Sequence, residues 1–93
     1  MLVRFYLDHQ TGLPHIHRHS VSEEEVEDVL SGPGEDRIGR EGSRVALGQT
    51  RAGRYLRVIY VPETEGAYVI TAYELTGKAL MAYRRRRRRA GQP

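Results

Sequence analysis

The chain has 93 residues, of which 39% are hydrophobic, with no Trp and one Phe, so it supports one compact domain with a core of aliphatic side chains and tyrosines. The lack of Cys excludes a disulfide framework, and the lack of a long apolar run excludes a membrane-spanning helix and a secretory signal, so the expected compartment is the cytoplasm. The net charge is +3, but the run from Arg84 to Arg89 alone contributes +6. The rest of the chain has the other nine basic residues and all 12 acidic ones, a net charge of −3, which excludes a basic folded body.

The first half of the chain is predicted to hold one strand and one helix. Residues 2–7 alternate apolar and polar side chains, as a half-buried strand does, and residues 8–14 form a turn-rich link. Ser22 and Glu25 have the spacing of a capping box, so a helix is expected to begin directly after Ser22. The Ser-Gly-Pro-Gly sequence at residues 31–34 ends it.

The second half is predicted to be mostly strands. Residues 35–43 are polar and fit either a loop or an edge strand. Three strands in antiparallel order are expected over residues 44–50, 54–61 and 67–73, with glycine-containing turns between them. Residues 54–61 are apolar on much of both faces, which is typical of a central strand.

A second helix is predicted to begin near Thr76 and to lead into the arginines. The expected fold is therefore α+β, with an antiparallel sheet of three to four strands and two helices in the order β-α-β-β-β-α. Residues 1–83 form a single domain in this interpretation, and residues 84–93 form a basic C-terminal tail.

Several short strings resemble the BrnT-type toxins of bacterial toxin–antitoxin pairs, which have a RelE/ParE-like fold. The segment that resembles them runs over residues 15–88, with Tyr83 near the end of the last helix and basic residues after it. The matching strings are RHSVS at 18–22, ALGQT at 46–50, GRYLRVIY at 53–60 and VITA at 69–72.

The resemblance implies a ribonuclease of a type II toxin–antitoxin system that needs no metal or cofactor. Its implied partners are messenger RNA, which includes ribosome-associated messenger RNA, and an antitoxin protein that silences it, while a homodimer stays open. In such folds basic residues beside the last helix hold the scissile phosphate, and the RNA 2′-hydroxyl is the nucleophile.

Two places depart from the family pattern, since Tyr73 stands where an Arg is usual and Ala79 and Leu80 stand where a Glu-Arg pair is usual. These departures leave open an attenuated enzyme. The alternatives are a non-catalytic module of the same fold that binds RNA or protein, and a toxin that acts on a protein target such as gyrase.

The candidate catalytic residues are Arg54, Arg57 and Lys78, which would hold phosphate, and His19 or Tyr83, which would assist proton transfer. Arg57 lies among core-like neighbours in the central strand, where a charge must face an open cleft or a partner. Each of three residues also has a structural alternative. Arg57 could be solvated on an exposed face of the sheet, and His19 could stabilise the end of a helix. Tyr83 could pack in the protein with its hydroxyl in water.

A second set of residues is expected to bind nucleic acid through charge and stacking. An arginine run neutralises phosphates in a salt-dependent and sequence-blind way, and a tyrosine stacks on a base. A frayed and solvated helix end is the alternative, because six adjacent positive charges repel one another. The set consists of Arg44, Tyr73, Arg84, Arg85, Arg86, Arg87, Arg88 and Arg89.

Three histidines alternate at positions 15, 17 and 19, so that they share one side of an extended segment. Three imidazoles on one side can hold zinc. No carboxylate or cysteine is spaced to complete the ligand set, so the expectation is that the protein has no metal site.

Overall fold

The structure of the protein is a computed structural model, which describes residues 1–91. A short 3₁₀ helix at His15–His19 precedes helix α1. None of the helices within residues 1–91 has the length and apolar character needed to cross a membrane. The other elements, in chain order, are β1 (Leu2–Phe5), α1 (Glu23–Ser31), β2 (Gly34–Ile38), β3 (Arg44–Gln49), β4 (Tyr55–Glu63), β5 (Gly66–Glu74) and α2 (Gly77–Ala90).

The strands form one mixed sheet in the order β1-β5-β4-β3-β2. Strand β1 runs parallel to β5, and every other neighbouring pair is antiparallel. The predicted α+β class with two helices is therefore confirmed, whereas the predicted antiparallel sheet of three to four strands is wrong in strand number and in the direction of β1.

Both sheet corrections have a physical reason. The polar stretch of residues 35–43 contributes strand β2, because its backbone completes the hydrogen-bond ladder of β3 from Gly34 opposite Gly48 to Ile38 opposite Arg44. Such an edge strand needs no apolar face, and its side chains are mostly exposed. The parallel pairing of β1 joins the first strand to the last one, as in Val3 opposite Ala67, and an alternating side-chain pattern does not encode a contact between segments so far apart in the chain.

One face of the sheet is covered by the 3₁₀ helix and α1. Leu56 and Val58 of β4 point into this face, and both are fully buried. Gly48 of β3 lets α1 approach the sheet, since a side chain there would begin 3.0 Å from the Val29 Cγ1 atom. The core that results consists of Ile16, Val21, Val26, Val29, Ala46, Leu56, Val58, Val69 and Ala72.

Helix α1 begins as its sequence predicts. The Ser22 Oγ atom accepts a hydrogen bond from the Glu25 N–H at 3.2 Å, and the Glu25 carboxylate accepts one from the Ser22 N–H at 3.0 Å. This capping box satisfies two of the backbone donors that a helix N-terminus leaves free, so the position of α1 is fixed by its own sequence.

Helix α2 packs on the other face of the sheet. This second face carries Tyr55 and Arg57 of β4 and is called the open face below. Tyr83 is the buried residue of α2 and packs in a small cluster with Leu47 and Leu75, joined by the half-buried Leu80. The helix runs without a break through the arginine run to Ala90. The last two residues of the expected tail, 92 and 93, lie outside the described residues.

Candidate nucleic-acid interface

Arg57 lies on the open face in the middle of the central strand. Its directly opposite neighbours are Leu47 of β3 and Tyr73 of β5, so no carboxylate stands across from it. Its Nε atom is buried and has no hydrogen-bond partner within residues 1–91. A buried donor without a partner costs on the order of 1–3 kcal/mol. Arg57 is therefore a candidate site residue whose position in the sheet no hydrogen bond of its Nε atom explains within the described residues.

Tyr73 links Arg57 to His19. The Tyr73 and His19 ring centroids are 5.9 Å apart, with an interplanar angle of 58°. His19 in turn meets His15 at 5.6 Å, and His15 meets Tyr6 at 5.9 Å. Tyr73 is thus the register neighbour of Arg57 and also the ring neighbour of His19, so it connects three of the sequence-predicted site residues.

The local fold fixes the position of His19. The 3₁₀ helix is anchored by Ile16, which is 1% exposed, and it ends at Ser20, whose φ of 57° is left-handed. The Arg54 Nη1 atom donates a hydrogen bond to the Ser20 carbonyl at 2.7 Å. His19 is thus held between a buried side chain before it and a clamped carbonyl after it.

Arg54 is bound to carboxylates within the protein. Its Nε atom donates to the Glu74 carboxylate at 2.9 Å, and its Nη1 atom donates to the Glu25 carboxylate at 3.1 Å as well as to Ser20. Hydrogen bonding to Glu74 raises the pKa of Arg54, and contact with Glu25 adds to this effect. The observed role of Arg54 is therefore to join the end of the 3₁₀ helix to α1 and β5.

Arg44 is occupied in the same way. Its Nε atom donates to the Asp36 carboxylate at 2.5 Å, and Asp36 also accepts a hydrogen bond from the Tyr60 hydroxyl. The side chains of Arg44, Asp36 and Tyr60 thus join β2, β3 and β4 on the covered side of the sheet. The structure does not bring Arg44 together with Arg57, because the two side chains alternate to opposite faces.

Lys78 and Tyr83 differ in exposure. Lys78 is exposed in the first turn of α2, and Tyr83 is 3% exposed. Burial raises the pKa of the Tyr83 hydroxyl. The Tyr83 ring meets Tyr55 edge to face at 6.1 Å, so Tyr83 lies under α2 rather than beside His19 and Tyr73.

A cleft of about 450 Å³ lies between the C-terminal half of α2 and the ends of β3 and β4. The Arg84 guanidinium carbon is 5.9 Å from the centre of the Tyr55 ring, within the range of a cation–π contact. This cleft is called the arginine cleft below. The residues that line it are Pro33, Gln49, Thr50, Tyr55, Tyr83, Arg84, Arg87 and Arg88.

Sequence reasoning missed two parts of this surface. It did not identify Tyr55 as a cleft residue, although Tyr55 precedes Arg57 by two positions and must share its face. It also missed the row through Tyr6 and His15, which depends on β1 ending where the 3₁₀ helix begins to cover β5. The alternation of side chains along β4 could have identified Tyr55, whereas no local sequence signal could have identified the row through Tyr6 and His15.

The histidines do not assemble with carboxylates into a larger group. Within residues 1–91 no cluster of three or more His, Cys, Asp or Glu side chains could hold a metal ion. His17 instead pairs with Glu23 at 2.6 Å, and His15 lies 3.5 Å from Asp8. His15 and His17 thus have carboxylate neighbours, whereas His19 has Tyr73 as a ring neighbour.

Comparison with protein-family models identifies a family for this chain. A family model described as "Domain of unknown function (DUF4258)" matches residues 15–74, from the 3₁₀ helix to the end of β5. No curated protein and no solved structure matches the chain. His19, Arg57 and Tyr73 lie inside the matched segment, whereas β1 and α2 with its arginines lie outside it.

Proposed function

Because the chain belongs to the DUF4258 family, whose description names no activity, we propose from the geometry of the open face that it is a metal-independent ribonuclease, similar to the BrnT-type toxins and silenced by an antitoxin protein. The observation that carries the proposal is the position of Arg57. Its guanidinium has a buried donor without a partner and stands across from Tyr73, whose ring meets His19.

The reaction that suits these groups is transfer of a phosphoryl group within the RNA strand, from the 5′-oxygen of one nucleotide to the 2′-oxygen of the preceding one. The 2′-hydroxyl attacks the adjacent phosphorus, the 2′-oxygen–phosphorus bond forms, and the 5′-oxygen–phosphorus bond breaks. The products end in a 2′,3′-cyclic phosphate and a 5′-hydroxyl. No metal or cofactor is required for the balance of atoms and electrons.

Each of the three residues has one role in this proposal. Arg57 holds the phosphate and opposes the charge that develops on its oxygens, where a placed donor has its largest effect. His19 accepts the proton of the 2′-hydroxyl, since an imidazole exchanges protons near neutral pH. Tyr73, which lies between them, donates the proton that the leaving 5′-oxygen takes up.

Ion pairing elsewhere supports the choice of Arg57 over the other candidates. Arg44 and Arg54 each already bind carboxylates, which would compete with phosphate for their charge. Arg57 stands across from Leu47 and Tyr73, so no carboxylate opposite it in the sheet competes in this way. Lys78 remains a candidate for a second, weaker phosphate contact, because it is exposed near the start of α2.

The test is cleavage of a long messenger RNA by micromolar protein in EDTA, with the product ends identified. We expect Arg57→Ala to lower the cleavage rate by about 10²–10³-fold, the usual effect of removing one transition-state donor. Arg51→Ala is the matched control, since Arg51 loses the same charge from an exposed turn. No cleavage by the wild type, equal loss in both variants, or products without a cyclic phosphate would each overturn the proposal.

A second candidate function is RNA binding without cleavage. The arginine cleft favours it, because three arginines and two tyrosines line this cleft and His19 is not among its lining residues. Under this alternative the wild type binds RNA but leaves it intact, and Arg57→Ala has no more effect on affinity than Arg51→Ala has. The cleavage assay above therefore decides between the two functions.

A further inference from the structure

Helical periodicity divides the arginine run into three sets with different surroundings. Arg84, Arg87 and Arg88 lie three and four positions apart, so they share one side of α2 and line the arginine cleft. Arg85 and Arg89 are exposed and are not among the cleft residues. Arg86 is bound to Glu35 on β2. The run therefore consists of three arginines that line the arginine cleft, two that are exposed away from it, and one that is bound to Glu35.

Two contacts hold that set in place against the repulsion within the run. The Arg86 Nε atom donates to Glu35 at 2.6 Å and its Nη2 atom donates at 2.8 Å, so the pair is bidentate. Tyr83, one turn before Arg87, is buried against Leu47 and Leu75. The cleft side of α2 is thus fixed relative to β3 and β4, although like charges at these spacings each disfavour the helix by about 0.2–0.5 kcal/mol.

The chemistry of the arginine cleft matches one nucleotide of a single strand. Its lining has three guanidinium groups for a phosphate, the Tyr55 ring for a base, and the polar side chains of Gln49 and Thr50, and it includes no carboxylate. Its volume of about 450 Å³ is in the range that holds a small ligand. Stacking of a base on an aromatic ring with arginines on the backbone is the general mode of single-strand binding.

We propose that the arginine cleft is a separate binding site for one nucleotide of single-stranded RNA, with its phosphate on Arg84 and Arg88 and its base against Tyr55. The arginines of this site lie outside the matched family segment, and Arg57 is not among the residues that line the cleft, so we expect the site to add affinity rather than to take part in bond cleavage. The inference rests on the proposed function only in that RNA is taken as the ligand.

The experiment compares two double variants that lose the same charge from the same helix at the same spacing. Arg84→Ala/Arg88→Ala removes the cleft pair, and Arg85→Ala/Arg89→Ala removes the exposed pair. The probe is a fluorescent single-stranded RNA with 2′-O-methyl groups, which cannot be cleaved because its 2′ oxygens are blocked. Binding is measured by anisotropy at several salt concentrations, with circular dichroism to verify folding.

We expect loss of the cleft pair to weaken binding by about tenfold or more and to reduce the slope of log K against log salt by about 0.7, which corresponds to one phosphate contact on a single strand. The exposed pair should change affinity by less than about threefold and leave the slope unchanged. Equal effects of the two variants would overturn the proposal, because the run would then act as unspecific charge. Tyr55→Leu, which keeps an apolar side chain without a flat ring to stack on, should weaken binding by about tenfold, and full affinity in it would overturn the role of Tyr55.

The outcomes separate this site from the proposed ribonuclease. If the cleft proposal fails, the cleavage assay with Arg57→Ala still tests the proposed ribonuclease independently. If cleavage fails, the difference between the two double variants is still measured with the blocked RNA. An acidic protein segment as the true occupant would appear as weak RNA binding in the wild type with no difference between the pairs, which overturns the RNA assignment.

Discussion

Arg86 binds Glu35 through two parallel hydrogen bonds, and this pair fastens the arginine run to the edge strand of the sheet. Hydrogen bonding to Arg86 is the main cause that holds the pKa of the Glu35 carboxyl below its ordinary value. Glu35 stands across from Leu47, which contacts Tyr83, so the charged and apolar attachments of α2 meet the same part of the sheet.

The first prediction concerns this attachment. Replacement of Arg86 by Ala should raise the pKa of Glu35 toward its ordinary value, because the largest stabiliser of its charged form is removed. Carboxyl carbon chemical shifts recorded through a pH titration measure this change. Arg85→Ala, which removes an equal charge one position away, is the control and should leave Glu35 titrating as in the wild type. An unchanged titration in the Arg86 variant would show that the pair does not form in solution.

The second prediction concerns acid stability and Asp8. A hydrogen bond from Arg18 and one from the Gln10 N–H lower the pKa of Asp8 from its ordinary value of 3.8. Since the folded-state pKa lies below the unfolded one, the stabilisation is complete above pH 3.8 and is lost as the pH falls through the folded value. Asp8→Asn should therefore be less stable than the wild type at about pH 5, with the gap shrinking at about pH 2.

Urea unfolding at a series of pH values measures that gap. The exposed Glu24 of α1 supplies the control, and Glu24→Gln should follow the wild type closely at both ends of the range. A gap between wild type and Asp8→Asn that stays constant down to pH 2 would contradict the assignment of the stabilisation to the charged form of Asp8.

The third prediction concerns the core under α1. Leu56 is fully buried at the centre of β4, so Leu56→Ala should lower the free energy of unfolding by about 2–5 kcal/mol. A domain of this size has little more than that in reserve, so partial unfolding at room temperature is expected. Ile38→Ala is the comparison, because Ile38 is 81% exposed and should change stability by less than about 0.5 kcal/mol. Similar losses in the two variants would mean that the covered face does not form the core.

Local features of the fold could be predicted from the sequence. The capping box of Ser22 and Glu25 and the turn at Gly53, whose φ is 96°, depend on residues a few positions apart. The structure confirms both, because such signals are decided by the chain within one turn. The edge strand β2 could not be predicted in this way, because it forms through backbone hydrogen bonds to β3 and its own side chains give no strand pattern.

The same distinction between local sequence signals and tertiary contacts applies to the candidate site. Arg54 and Arg57 look alike in sequence, since the first directly precedes β4 and the second lies within it, yet Arg54 is bound by carboxylates and the Nε atom of Arg57 has no partner. The partners of Arg54 are Glu25 and Glu74, which are distant along the chain and come near only when α1 and β5 meet. Sequence patterns show which residues carry charge, whereas the tertiary fold decides which charges remain for a ligand.

The parallel pairing of β1 with β5 affects the order in which the protein can form during its synthesis. Val3 pairs with Ala67, so everything between them must be translated before β1 can dock, which takes on the order of 3–13 s at typical rates. During that interval the apolar side chains of Val3 and Phe5 have no strand beside them. Closure of the sheet is therefore a late event on the ribosome, and the nascent chain needs protection from aggregation until β5 emerges.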